Sequence, residues 1–130
     1  MAASHRIVLE QALASARANF DSTMARADLA LENFKTEHYQ TIAASEAKIA
    51  GLESNLEICD GLEQIRMAAQ LRQEIHVAVE AHKDVVKGAN AKLAQGFENY
   101  TRVCTAAATA LECAMSAAIS AVSRNPVSAA

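Results

Sequence analysis

The chain has 130 residues and is 52% hydrophobic, yet only 4% of its residues are aromatic and none is Trp. A net charge of −3 argues against nucleic-acid binding, which needs a basic patch, so we expect no nucleic-acid partner. With only four Gly and one Pro, and with many Ala, Leu, Glu, Lys and Gln residues, the composition is typical of long helices and predicts an all-α fold.

The first half of the chain carries one apolar stripe at helical spacing. Its members follow one another at steps of three or four residues, with a mean of about 3.6, the period of a straight α-helix. They are Leu9, Leu13, Ala16, Phe20, Met24, Ala27, Leu31, Phe34, His38, Ile42, Ser45, Ile49, Leu52 and Leu56. Charged residues outside this stripe are predicted to form a solvated face: Glu10, Arg17, Asp21, Asp28, Glu32, Lys35 and Glu46.

The strongest break in the pattern lies at Cys59–Gly61, near the middle of the chain. Asp60 is a suitable N-cap for a new helix, and Glu63 lies three residues later, as in a capping box. Gly61 adds local backbone freedom. The pattern therefore predicts the main turn at Cys59–Gly61.

The second half has its own stripe, again with a mean step of about 3.6 residues. Its members are Leu71, Ile75, Val79, His82, Val86, Ala89, Leu93, Phe97, Tyr100, Cys104, Ala107, Leu111, Ala114, Ala118 and Val122. Lys87, Gly88 and Asn90 resemble a helix stop followed by a new start, so we expect a second bend or break near Gly88–Asn90.

Together the two stripes predict an elongated antiparallel bundle of long helices. Folding the halves about residue 60 places residue i opposite residue 120 − i. The predicted pairs are Phe20 with Tyr100, Ala16 with Cys104, Leu13 with Ala107, Leu9 with Leu111, and Phe34 with Val86. We expect one domain over 1–123 and a flexible tail over 124–130. A hairpin that dimerises into a four-helix bundle and a compact monomeric bundle with extra bends are both compatible with the pattern.

His38 and His82 are the candidate metal or pH-sensing pair, because 120 − i places them opposite each other on the two stripes. A metal site needs further ligands, and none converge here. The favoured interpretation is two half-buried histidines hydrogen-bonded to neighbours, without metal or cofactor. No nucleophile motif, glycine-rich phosphate loop or acid–base pair occurs in the sequence, so we do not expect an enzyme.

The three cysteines, Cys59, Cys104 and Cys113, form no Cys-x-x-Cys motif. Reduced thiols are the default for such a set, which favours the cytoplasm. Cys104 fits the stripe as a small core residue, whereas Cys59 at the turn is a candidate exposed thiol. The N-terminus lacks the layout of a signal peptide, and the uncharged runs are shorter than the ~18 residues of a transmembrane helix. Non-classical export stays open.

Residues 103–122 differ from the rest because Glu112 is their one charged residue. A helix that is apolar all round is normally buried all round, and a single neighbouring helix cannot cover it. We therefore predict a partner-binding surface formed by Val103, Ala107, Ala110, Leu111, Ala114, Met115, Ala118, Ile119 and Val122.

The function predicted from these features is a non-enzymatic helical scaffold or protein–protein interaction module that acts through helix packing, such as an adaptor, a chaperone or a secreted effector domain. Its partner would be a second copy of the chain, as a homodimer, or another helical protein. The alternative is a helical bundle that binds a lipid or membrane surface, although 103–122 lacks the basic and aromatic residues typical of interfacial helices.

Overall fold

The computed structural model shows two helices joined by a short turn: α1 spans Ala2–Gly61 and α2 spans Ile65–Arg124. The structure describes residues 2–124, with side chains described for 5–121. The two helices pack against each other, and no strand occurs in the described part of the chain. The predicted all-α fold of long helices is thus confirmed as a helical hairpin.

Each helix continues for 60 residues because nothing in its sequence stops it. The single proline of the chain, Pro126, follows the end of α2. Of the bend or break predicted near Gly88–Asn90, a break does not occur, since α2 is continuous through these residues, and a bend stays a prediction. A glycine inside a helix costs only about 1 kcal/mol. The neighbouring Ala89 is buried at 5% exposure, so packing holds the helix together at this point.

The turn lies at 62–64 rather than at Cys59–Gly61, which forms the last turn of α1. Glu63 takes the left-handed conformation with a φ of 57°. The Gln64 amide donates to the Cys59 carbonyl at 2.9 Å, and the Glu63 amide donates to the Asp60 carbonyl at 3.2 Å. These two bonds form a Schellman motif, which caps the end of α1.

Asp60 is not the N-cap of the second helix, contrary to the prediction. Its carboxylate accepts hydrogen bonds from Arg72 Nη2 at 2.9 and 3.2 Å, which ties the end of α1 to α2. At the start of α2, the Gln64 carbonyl accepts the Ala68 amide at 2.9 Å. The left-handed residue at position 63 ends α1 three residues later than the capping-box pattern suggested.

The displaced turn changes the register along the whole hairpin. Tyr100 bonds to Asp28, and His38 bonds to Asn90, so residue i lies opposite about residue 128 − i. The register predicted from a centre at residue 60 is therefore wrong by eight residues, or roughly two helical turns. This corrects the predicted pairs Phe20 with Tyr100, Ala16 with Cys104, Leu13 with Ala107, Leu9 with Leu111, and Phe34 with Val86.

The hairpin comprises two compact units, each internally packed. Unit 1 comprises Met1–Leu31 and Phe97–Ala130, and unit 2 comprises Glu32–Gly96. Each unit contains a segment of α1 packed on a segment of α2. The predicted single domain over 1–123 stays a prediction. Of the predicted tail, Arg124 is the last residue of α2, and 125–130 lie outside the described residues.

The predicted stripes form the seam between the helices, meaning the side chains that α1 and α2 turn towards each other. Every member of the first stripe is buried or half-buried. The same holds for the second stripe except at Phe97, which is 45% exposed, and at Val122, whose side chain lies outside the described residues. All seven charged residues predicted for the solvated face of α1 are exposed.

Candidate helix-packing surface

The seam is thin. Its buried hydrophobic residues in the described part of the chain are five alanines, one leucine and one cysteine, and no side chain there is fully buried. They are Ala27, Leu31, Cys59, Ala68, Ala78, Ala89 and Ala118. Alanines bring the helix axes close together but remove little apolar area from water, so most of the larger apolar side chains keep part of their surface in solvent.

The predicted partner-binding residues separate into two sets in unit 1. The first set faces α1 across the seam and is half-buried or buried: Ala107, Leu111, Ala114 and Ala118. The second set is exposed: Val103, Ala110, Met115 and Ile119. The side chain of Val122 lies outside the described residues. Only the exposed set is available to a partner without unfolding the hairpin.

An apolar groove lies between the two helix segments of unit 1, with a volume of about 410 Å³. We call it the open groove; it is formed by Leu9, Leu13, Met115, Ala118 and Ile119, with Arg6 and Glu10 along its edge. Ile119 is 65% exposed and Met115 is 43% exposed, whereas Ala118 is only 9% exposed. The groove therefore combines a buried alanine with two exposed, larger apolar side chains.

The charges at the edge of the open groove are paired. Arg6 Nε lies 3.1 Å from Glu10 Oε1, one helical turn away on α1, and both side chains are largely exposed. Such a surface ion pair contributes at most about 0.5 kcal/mol to the helix. It places one positive and one negative group next to the apolar surface.

Sequence reasoning missed the contribution of α1 to this surface. Leu9 and Leu13 belong to the predicted stripe, yet they also line the open groove. Outside the stripe, Val8 and Leu29 are 61% and 63% exposed, so apolar side chains of α1 also reach solvent in unit 1. The signal available in the sequence was the presence of Ile7 and Val8 off the stripe, next to its first leucine.

A second, smaller groove of about 190 Å³ also lies within unit 1. Ala16, Phe20, Ala107, Ala110 and Leu111 line it together with the polar Asn19 and Thr23. Its apolar lining is mostly alanine, so it offers no large protruding side chain.

Unit 2 presents a different surface, with charged residues beside its grooves. The groove around Phe34 and Val85 has a volume of about 200 Å³ and includes Glu37, Asp84 and Lys92. Lys92 Nζ lies 3.9 Å from Glu37 Oε1 across the two helices. Large apolar side chains are exposed in unit 2 as well, at Val77 and, around the turn, at Ile58, Leu62, Ile65 and Met67. Of the two units, unit 1 has the groove of about 410 Å³ lined mainly by apolar residues.

The structure does not bring His38 and His82 together. His38 Nε2 shares a hydrogen bond of 2.8 Å with Asn90 Oδ1, and His82 Nδ1 shares one of 2.7 Å with Ser45 Oγ. The eight-residue change of register separates the two levels by roughly 12 Å along the helices. No group of three or more metal-ligating side chains occurs among the described residues. The proposed pairing is wrong, and both rings have the hydrogen-bonded neighbours expected of structural histidines.

The cysteines differ in accessibility. Cys59 is buried at 5% exposure, contrary to the prediction of an exposed thiol, because it continues the first stripe three residues after Leu56. Cys104 is half-buried in the seam, as predicted, and Cys113 is exposed. All three are free thiols.

Tyr100 and Asp28 form a polar contact between the helices of unit 1. Tyr100 Oη donates to Asp28 Oδ1 at 2.8 Å. This hydrogen bond, with a smaller contribution from the neighbouring Cys104, raises the pKa of Tyr100 to about 12. The cause is direct: the bond needs the phenolic proton, and the nearby carboxylate disfavours a phenolate.

One segment of α2 is long and apolar enough to cross a membrane by length and composition, although the shorter uncharged runs led us to expect none. Only 6% of that segment is buried within the chain. Core helices of soluble proteins pass the same test, but they are mostly buried. Most residues of this segment therefore keep part of their surface in solvent.

Comparison with family models, curated proteins and solved structures finds no match for this chain.

Proposed function

We propose that the protein is a non-enzymatic helical interaction module that binds by packing a further helical surface against unit 1. The observation that carries this proposal is the open groove, where Ile119 and Met115 protrude from the hairpin at 65% and 43% exposure. Contiguous exposed apolar surface on a folded chain marks an interaction site more often than scattered single residues do.

The thin seam supports the same proposal. Two helices that bury mainly alanines gain little hydrophobic stabilisation, at about 25 cal/mol for each Å² of apolar area removed from water. A further helical surface over the groove would cover Leu9, Leu13 and the two protruding residues of α2. Helical hairpins commonly complete their core in this way, as four-helix bundles.

The proposal is tested by measuring the mass of the full chain in solution. We expect size-exclusion chromatography with light scattering to show a dimer or larger assembly. Ile119→Glu is the appropriate disrupting variant, because that side chain is exposed. Leu111→Asp or Ala114→Glu would instead place a charge in the seam and unfold the hairpin.

A lipid surface is the second candidate partner, favoured by the apolar segment of α2 that is only 6% buried. This alternative predicts that the chain floats with phosphatidylcholine or anionic vesicles in a density gradient and that Ile119→Glu abolishes flotation. A stable monomer that also ignores vesicles would contradict both candidates.

A further inference from the structure

The chain exposes more surface to solvent than a compact monomer of the same mass would. The chain exposes 9531 Å² to solvent. A compact monomer of its mass, 13.8 kDa, exposes about 6,600 Å² by the usual scaling of area with mass. The excess of roughly 2,900 Å² is larger than the ~1,000 Å² that each partner buries at the lower end of obligate homodimers. The chain therefore has enough uncovered area for an extensive dimer interface.

We infer that the open groove is the contact between two copies of this chain, related by a two-fold axis. This inference rests on the proposed function and identifies its partner as a second copy. A two-fold interface uses the same patch on both subunits, so the patch has to supply both a protrusion and a recess.

The open groove meets that requirement with neighbouring residues. Ile119 supplies the exposed apolar side chain, at 65% exposure, and Ala118, at 9% exposure, lines the same groove with Leu9 and Leu13. We place the recess at Ala118 because its side chain is the smallest of these. In a two-fold arrangement, Ile119 of each copy enters the recess of the other. This is the knobs-into-holes packing of helical bundles, with an alanine at the bottom of the hole.

The charges at the edge are also self-complementary. Arg6 and Glu10 carry opposite charges one turn apart on α1. A two-fold axis that crosses this edge brings Arg6 of each copy towards Glu10 of the other. Charges of one sign would repel each other across an interface between two identical surfaces. Here the positive charge of Arg6 balances the negative charge of Glu10.

The other grooves fit a second copy less well. The smaller groove of unit 1, of about 190 Å³, is lined mainly by alanine and polar residues. The grooves of unit 2 are also smaller than the open groove, at about 200 and 310 Å³.

The test is sedimentation-velocity ultracentrifugation of the full chain over a range of concentrations, with five variants. Ile119→Glu and Met115→Glu place a carboxylate in the open groove at exposed positions, so the hairpin itself should keep its helical circular dichroism. Val77→Glu is the matched control in unit 2, where the valine is 57% exposed. Val103→Glu tests the competing position in unit 1, because Val103 belongs to the predicted partner-binding surface, is 38% exposed and lies outside the open groove.

We expect a wild-type dimer and an increase of at least roughly 30-fold in the dimer dissociation constant for both open-groove variants, the size expected when a central apolar contact is lost. The Val77 variant should dimerise like the wild type, and Val103→Glu should weaken the dimer less than Ile119→Glu does. Ile119→Leu should also dimerise, because it keeps an apolar protrusion.

Three results would overturn the inference. If Val103→Glu dissociates the dimer and Ile119→Glu does not, the contact is on another face and the interaction module still stands. If the wild type is monomeric but floats with vesicles in an Ile119-dependent way, lipid and not a second copy covers the groove. If it is monomeric and does not float, the proposed function fails as well.

Discussion

At the scale of single residues, Gly96 has a clear packing role. It is buried, and the side chain of Phe34 occupies the space that a Cβ at position 96 would need: Phe34 Cγ lies 2.6 Å from that point and Phe34 Cβ lies 3.0 Å from it. Phe34 Cβ cannot move without shifting the backbone of α1, and Cγ moves only if the packed ring changes its rotamer. The missing side chain at 96 is therefore what allows Phe34 to pack.

Gly96→Ala is expected to be neutral or to lower the free energy of unfolding by up to about 2 kcal/mol, because overpacking of roughly 1–3 kcal/mol outweighs the helix propensity gained from alanine. Gly88→Ala is the matched control in the same helix, with nothing within 4 Å of the added Cβ. It should raise the free energy of unfolding by about 0.5–1 kcal/mol. Urea unfolding measures both, and an equal gain in the two variants would contradict this role for Gly96.

The hydrogen bond between Tyr100 and Asp28 predicts that the phenol of Tyr100 loses its proton at an unusually high pH. In a Tyr39→Phe background, ultraviolet absorbance of the remaining tyrosine should report a midpoint near pH 12, as set by the raised pKa of Tyr100. Asp28→Asn should lower that midpoint, since the carboxylate that opposes the phenolate is removed.

The folded chain holds the phenolic proton more tightly than the unfolded chain. This contribution to stability is therefore complete below the ordinary tyrosine pKa of about 10 and is lost as the pH rises through about 12. A midpoint unchanged by Asp28→Asn would show that the bond does not form.

At the scale of the helices, the turn decides how α1 and α2 meet. Its left-handed residue is Glu63, with a φ of 57°, and not Gly61, which is helical. A non-glycine residue in this conformation costs about 1–2 kcal/mol. The Schellman bonds formed by the amides of Glu63 and Gln64 offset that cost.

Glu63→Gly should raise the free energy of unfolding by roughly 0.5–1 kcal/mol, because relief of the left-handed strain exceeds the extra freedom that glycine gains in the unfolded chain. Glu63→Ala is the control, since alanine carries the same strain, and it should change stability little. Thermal unfolding followed by circular dichroism compares them. A glycine variant less stable than the alanine variant would argue against the left-handed conformation at 63.

At the scale of the helices, the positions of the stripes could be predicted from the sequence, whereas the register between α1 and α2 could not. Periodic positions such as Leu31 and Ala89 are specified by the 3.6-residue repeat, which depends only on local spacing. Pairing across the helices depends on where the turn falls. Asp60 and Glu63 have the spacing of a capping box, but Glu63 adopts the left-handed conformation instead, and the resulting displacement moves His38 from His82 to Asn90.

At the scale of the whole molecule, the chain leaves apolar surface uncovered, and this predicts that stability depends on concentration. If two copies share the open groove, mass action stabilises the dimer by about 1.4 kcal/mol for each tenfold rise in concentration. For two chains of 130 residues this corresponds to a rise in Tm of about 2–3 °C per tenfold. Differential scanning calorimetry at protein concentrations from about 5 to about 500 µM measures this shift in Tm. Ile119→Glu should remove the dependence, and a wild-type Tm that does not change would contradict self-association.

The sequence by itself determined the helices, the residues of the seam and the apolar character of 103–122, because each of these follows from residue type and local spacing. Only the tertiary structure decided the register, the burial of Cys59 and the division of the predicted surface into a seam set and an exposed set. The physical reason is that two helices of constant period can slide past each other by whole turns while keeping their stripes in contact. The backbone conformation of the single residue Glu63 selects among those positions, and the selected register places Ile119 in one groove with Leu9 and Leu13.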